Sequence, residues 1–168
     1  MNIFFGKEVG KYIGKKIFSA KNYVLICTPS ISYDFGEKIL QLIEKGIRVK
    51  IITSNSGAGE TDQVHKIMKK FLESNKILEY KIIDTKEIFN HAKIYIVDGE
   101  YAVIGSANFT KESFWNNLES IVMFEESNEV EKVETQFNEL WNSYKTTDFI
   151  CTDKKNEIKK IFHRIKAG

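Results

Sequence analysis

The chain has 168 residues, 42% of them hydrophobic and 29% charged, with a formal net charge of +2 and a single proline, Pro29. That length suits one domain over residues 1–168 and falls short of two, and folding at this size buries roughly 70% of the unfolded surface, so no disulfide or metal staple is required. No apolar run reaches the ~18 residues of a membrane span, and the opening MNIFFGKEVG is too short and too soon charged for a signal peptide; a cytoplasmic protein without membrane attachment is the expectation.

In chain order, GKEVGKYIGKKIFSAK spaces Val9, Ile13 and Ile17 for one helical face and sets Lys7, Lys11 and Lys15 on another. NYVLICTP follows as a buried strand ended by Pro29. DFGEKILQLIEKG reads as an amphipathic helix capped by Asp34 and stopped by Gly46. IRVKIITS is a second strand, SNSGAGETD a flexible loop, DQVHKIMKKFLES a helix and ILEYKIID a third strand. Two further strands flank Asp98-Gly99, a strong hairpin signal. LESIVMFEE is the next strand, and NEVEKVETQFNELWNSY a helix with Val130, Val133, Phe137, Leu140, Trp141 and Tyr144 at helical spacing. A basic tail over residues 152–168 can form a short amphipathic helix through Ile158, Ile161, Phe162 and Ile165. Strands alternating with helices and then a hairpin predict an α/β protein: a mixed sheet flanked by helices on both faces.

Charge is unevenly spread. Residues 1–50 carry nine Lys/Arg against four Asp/Glu, residues 101–150 three against nine, and the last eighteen six against two. Basic ends permit polyanion binding, although a charge run is more often a solvated face. Cys27 reads as core, Cys151 stands apart from it, and His65 and His163 are isolated, so the sequence offers no recognisable metal site.

The chemistry concentrates in HAKIYIVDGEYAVIGSANFT, residues 91–110, where His91, Lys93, Ser106 and Asn108 sit among buried-strand residues. Buried-strand ends carry polar groups at a penalty unless these are satisfied or used. With a two-residue turn, either Asp98-Gly99 or Gly99-Glu100, strand alternation brings all four to one face; a three-residue loop would reverse the parity. An imidazole can attack phosphorus or exchange a proton near neutral pH. The ammonium of Lys93, the hydroxyl of Ser106 and the amide of Asn108 offer donors for phosphate oxygens, and Gly105 leaves room for phosphate to approach the backbone. The set describes a phosphoryl-transfer site without a metal.

These residues fit H-x-K-x4-D-x6-G-S-x-N, with His91, Lys93, Asp98, Gly105, Ser106 and Asn108 at every required position, and the chain thereby resembles the phospholipase D superfamily. The strand–helix–strand from AKNYVLICTP to GIRVKIIT is similar to the opening of that fold. The resemblance implies a phosphodiesterase that needs no cofactor and works through a covalent phosphohistidine, with His91 as nucleophile and Lys93, Asn108 and Ser106 on the phosphate. It implies an acidic partner for the histidine in the next strand, where Glu119 stands, and a structural role for Asp98 at the turn. Two-motif members use two histidines, one attacking and one protonating the leaving oxygen. Here the sequence reads HKI at His65 and HRI at His163, without a second motif. The chain therefore resembles the small single-motif nucleases, which implies a homodimer with both His91 residues facing across the two-fold axis.

An endonuclease acting on DNA or RNA is the expectation. The rival readings are a lipid phosphodiesterase acting on cardiolipin or phosphatidyl lipids, and a non-catalytic nucleic-acid-binding relative. Phe109, Phe114 and Trp115 could stack on bases or belong to the core or an interface, and the residues alone do not choose.

Overall fold

The runs of β-branched and aromatic residues pair into a single seven-stranded sheet, and the helix-period segments pack against it. The computed structural model describes residues 1–55, 59–72, 77–86 and 88–144. The tail helix proposed over residues 152–168, Cys151, His163 and the middle of the SNSGAGETD loop lie outside the described residues.

The elements are β1 (Asn2–Gly6), α1 (Gly10–Phe18), β2 (Tyr23–Cys27), α2 (Tyr33–Glu44), β3 (Arg48–Ser54), α3 (Glu60–Leu72), β4 (Leu78–Ile83), β5 (Ile94–Val97), β6 (Tyr101–Gly105), α4 (Lys111–Trp115), β7 (Glu119–Phe124) and α5 (Ser127–Ser143). The strand order is β1-β7-β6-β5-β2-β3-β4. β2, β3 and β4 run parallel, as right-handed strand–helix–strand units require, and the β5, β6, β7 and β1 neighbours pair antiparallel. The sheet is mixed and has helices on both faces, as the alternation predicts.

The two faces are covered unequally. One packs Ile13 and Ile17 of α1, Phe35, Ile39 and Ile43 of α2, Val64 and Met68 of α3 and Phe114 of α4 against the sheet. Among the described residues the other is covered by α5, through Val130 and Phe137 with Trp141 alongside. The C-terminal carbonyls of α5 are held by Lys81 of β4, whose ammonium donates to the carbonyl oxygens of Trp141 and Tyr144.

Several local expectations change. Ser32, not Asp34, occupies the N-cap of α2, and Asp34 lies in the first turn, where a carboxylate complements the helix dipole. Gly46, at φ +85°, follows the end of α2 as the stop signal indicated. Lys7 precedes α1, and Lys11 approaches Glu8 at 3.8 Å, so the lysine stripe is partly internally paired. β1 and the five-residue α4 have no counterpart in the sequence reading.

The hairpin turn is centred on Asp98 and Gly99, both in the left-handed region at φ 55° and 68°, and the Glu100 N–H donates to the Val97 carbonyl at 2.9 Å. The ladder, however, pairs Val97 with Tyr101, leaving Glu100 as an extra residue between turn and strand. The two-residue registers are thereby corrected: Lys93 stands opposite Gly105, and Ile94 opposite Ile104. Strand alternation does not place Lys93 and Ser106 on one face.

The turn is tied to β2 by Asp98. Its carboxylate accepts the backbone N–H groups of Lys21, Asn22 and Tyr23, each at 2.8 Å, and its own N–H donates to the Tyr23 carbonyl at 3.0 Å. Three charge-assisted bonds from one side chain define a clasp. Asp98→Ala is expected to lower the free energy of unfolding by roughly 2–4 kcal/mol in urea titrations, because it strands three amides as well as removing their acceptor. Turnover should fall as well where the variant stays folded, because the clasp holds the hairpin whose other end carries His91, Lys93 and Ser106.

Candidate active site

The motif residues gather where β5, β6 and β7 stop pairing. His91 and Lys93 lie in the irregular segment that leads into β5, Ser106 and Asn108 in the segment that leaves β6, and Glu119 opens β7. Hydrogen bonds hold both segments. Gly105 N–H donates to the Lys93 carbonyl at 3.2 Å, and Ser106 N–H to the Ser120 carbonyl at 2.9 Å. The Tyr95 hydroxyl donates to the Ala107 carbonyl at 2.7 Å, the Phe109 N–H to Thr28 Oγ1 at 3.1 Å, and the Ser32 N–H to the Phe109 carbonyl at 3.1 Å. The strand leaving β6 is thus stitched to the β2–α2 connection.

His91 is exposed, and its ring lies 5.6 Å from that of Phe89. Among the described residues neither imidazole nitrogen is hydrogen-bonded. Lys93 is buried at 5% exposure, and its Nζ donates to the His91 carbonyl at 2.7 Å. Desolvation holds the Lys93 ammonium below the ordinary lysine pKa, and the carboxylate of Glu119 and the thiol of Cys27 act in the opposite sense. Among the described residues the bond to the His91 carbonyl is the one hydrogen bond of this ammonium, so its remaining donors can serve a phosphate oxygen.

Glu119 does not bond the imidazole, as the resemblance had implied. Its carboxylate accepts the Ser106 hydroxyl, and Ser106 Oγ in turn accepts the Ser120 N–H at 3.0 Å. Asn108 Oδ1 is buried without a hydrogen-bond partner. Asp98 lies at the far end of the hairpin, engaged with residues 21–23. Gly105 has a reason different from phosphate approach. A Cβ there would meet the Ser120 carbonyl oxygen at 2.2 Å and Ile121 Cα at 2.9 Å, so the absence of a side chain lets β6 lie against β7.

Phe109 and Phe114 are fully buried and pack in tilted and edge-to-face contacts with each other and with Phe35, which removes them as base-stacking surfaces; Trp115 is 39% exposed. One residue at this end was missed from the sequence, Asn90, whereas Cys27 is core as its surroundings indicated. Asn90 accepts the Ala92 N–H at 3.1 Å through Oδ1, and Cys27 donates to the same oxygen at 3.5 Å. The pattern Asn-x-x at a strand entry is a turn signal that could have pointed to Asn90. Among the described residues no three His, Cys, Asp or Glu side chains cluster as metal ligands would, and no helix is long and apolar enough to cross a membrane.

One end of the sheet thus carries an exposed imidazole, a buried ammonium, a hydroxyl and a carboxylate, groups that can exchange protons and donate to an anion. Residues 13–141 match the family described as cardiolipin synthase, PLD-like domain, and the chain belongs to this phospholipase D-like family of phosphodiesterases. It is 28% identical over 131 residues to a mitochondrial cardiolipin hydrolase of Chlamydomonas reinhardtii, covering 76% of this chain and 55% of that protein. The chain therefore spans a little over half the length of that relative. Among solved structures it superposes on NucT from Helicobacter pylori with a TM-score of 0.67 at 20% identity, covering 84% of this chain and 95% of the other. It superposes on the phospholipase D family member Nuc from Salmonella typhimurium with a TM-score of 0.68 at 20% identity, covering 88% and 99%.

The pH dependence of turnover tests the Lys93 environment. Because burial depresses its pKa, an activity that needs the ammonium is present at neutral pH and lost on the alkaline side, with the limb below the ordinary lysine value of 10.5. Glu119 supports the charged form, so Glu119→Gln should move that limb to still lower pH in kcat/KM profiles.

Proposed function

We propose that the chain is a metal-independent phosphodiesterase, an endonuclease for DNA or RNA, in which His91 is the nucleophile and the site is shared by two copies. The observation that carries this reading is the exposed imidazole of His91 on a residue whose own backbone carbonyl accepts the buried ammonium of Lys93. An imidazole nitrogen of His91 attacks phosphorus, a P–N bond forms, and the P–O bond to the leaving oxygen breaks. His91 of the partner subunit gives that oxygen its proton. Water then attacks phosphorus, the P–N bond breaks, and the water proton returns to the partner's His91. Lys93, with Asn108 and Ser106, holds the phosphate and balances the charge that builds on its oxygens. Glu119 acts on this site through Ser106 and Lys93.

Support for two copies comes from the part of the sheet face that α5 does not cover among the described residues. Ile3, Val122, Ile104 and Ile94 form one row across β1, β7, β6 and β5, and Ile3, Phe5 and Ile104 are 54%, 80% and 40% exposed. By alternation Ser106 belongs to the same face, so the apolar surface runs up to the motif. Support for a nuclease comes from the resemblance to small single-motif nucleases, the near-complete coverage of the Nuc and NucT chains, and the basic ends of the sequence. A lipid phosphodiesterase is the second reading, favoured by the name of the cardiolipin hydrolase relatives.

The test is cleavage of labelled single- and double-stranded DNA and RNA in excess EDTA, alongside cardiolipin vesicles, with the oligomeric state followed by sedimentation. A dimer that cuts nucleic acid, with His91→Ala slower by at least ~1,000-fold, is the expected result. Ile104→Lys should give a monomer without activity. Turnover of cardiolipin alone would transfer the function to the lipid reading, and turnover of neither substrate by a dimeric sample would reject catalysis on both.

A further inference from the structure

We propose that Asn90 is a positioning residue that holds the backbone of His91 for attack, an inference that rests on His91 being the nucleophile. His91 lies on irregular backbone before β5, where no ladder fixes its peptide planes. A nucleophile on such a segment needs another device to keep its geometry, since small displacements are amplified in rate.

Asn90 supplies one. It is 8% exposed, and its Oδ1 accepts the Ala92 N–H at 3.1 Å, closing a turn whose central residue is His91. The same oxygen accepts from Cys27 Sγ at 3.5 Å, which ties the turn to β2. Burial pushes the Cys27 thiol up to about 11, so it remains a protonated donor at neutral pH. The Asn90 carbonyl accepts the Ser54 hydroxyl at 3.3 Å, tying the turn to the end of β3. Ser54 is itself fixed, because its carbonyl lies 3.0 Å from Nε2 of the buried His65, whose Nδ1 lies 2.7 Å from the Tyr80 hydroxyl. Burial lowers the pKa of His65, and a neutral ring donating through Nε2 and accepting at Nδ1 satisfies both contacts.

From the opposite side Lys93 Nζ donates to the His91 carbonyl. The His91–Ala92 peptide is therefore gripped at both its edges by two buried side chains, Asn90 at the N–H and Lys93 at the carbonyl, and the peptide before His91 by the Ser54 hydroxyl, while the imidazole itself stays exposed. A residue serving only to fill space here would not need an amide: Nδ2 of Asn90 is buried without a hydrogen-bond partner, a destabilising arrangement. The Oδ1 bonds are what the position uses.

Three variants of the full chain separate positioning from packing. Asn90→Ala removes the turn acceptor, Asn90→Asp keeps it and removes the unpaired donor, and Cys27→Ala removes one anchor while leaving the turn bond in place. Asn90→Ala should lower kcat about 10- to 100-fold with KM within about threefold of wild type, and Asn90→Asp should recover kcat to within about fivefold. Cys27→Ala should stay within about threefold. Ring resonances of His91 in substrate-free protein should be sharp in wild type and in Asn90→Asp, and exchange-broadened in Asn90→Ala. Wild-type kcat in Asn90→Ala, or an equal loss in Asn90→Ala and Asn90→Asp, would overturn the proposal. So would His91 resonances that are identical in all variants. The resonance measurement needs no substrate, so it decides this inference even if every phosphodiester tested proves inert and the proposed activity fails.

Discussion

The carboxylate of Asp98, accepting three amides of the α1–β2 connection, governs how the β5–β6 hairpin sits on the rest of the sheet. Asp98 is five residues from Lys93, roughly 15 Å along an extended strand, yet the clasp sets the site. With Asp98 anchored to residues 21–23, β5 is locked antiparallel to β2 from Val24↔Val97 to Cys27↔Ile94. The extra residue Glu100 then fixes the offset of β6, which puts Gly105 opposite Lys93 and Ser106 just past the strand end. A motif aspartate far from the chemistry has a physical role at that distance: it determines which residues reach the sheet end together.

At that end the backbone ladder runs out, and side chains take over its hydrogen bonding. Thr28 holds the Phe109 amide, Tyr95 the Ala107 carbonyl, Asn90 the Ala92 amide and Lys93 the His91 carbonyl. Each buried polar side chain thereby satisfies a peptide group that would otherwise be stranded. Lys93 does more than this, because its charge is retained in a desolvated place with Glu119 as a distant counterion. Such an ammonium is poorly solvated in the free protein and gains from a phosphate oxygen, which makes the same burial that depresses its pKa a source of affinity for anions.

Much of this was legible in the sequence. Strands β2 to β7 and helices α1, α2, α3 and α5 follow from apolar periodicity, and the Asp98-Gly99 turn from its residue types. β1 was not legible, because Ile3 and Phe5 point away from the core and five residues give little period to detect. α4 is a single turn capped by Thr110, too short for a periodic signal. The register was misjudged by one residue, since nothing in DGEY distinguishes a ladder that closes at Glu100 from one that closes at Tyr101. His91, Lys93, Ser106 and Asn108 nevertheless lie at one end of the sheet, because the segments that carry them flank β5 and β6 at the same end. The partner of Glu119 was misjudged for a related reason: a carboxylate that opens a strand can turn toward the neighbouring strand's hydroxyl as easily as toward an imidazole.

The unequal covering of the sheet links fold to site. Four helices press on one face, and α5, anchored at its end by Lys81, crosses the other toward β3 and β4. The row from Cys27 through Ile94 to Ile104, Val122 and Ile3 therefore passes from full burial to open solvent along a single rung of the sheet. β1 extends the bare part, and its last pair, Gly6 with Glu119, borders the polar residues. An apolar surface that ends on Ser106 and Glu119 is well placed to exclude water from those groups once something covers it. A second copy seated there would bury Ile3, Phe5 and Ile104 and enclose the Ser106 hydroxyl and the carboxylate bonded to it in the same step. On the proposed reading, association and completion of the site are then one event, driven by the apolar area left uncovered among the described residues.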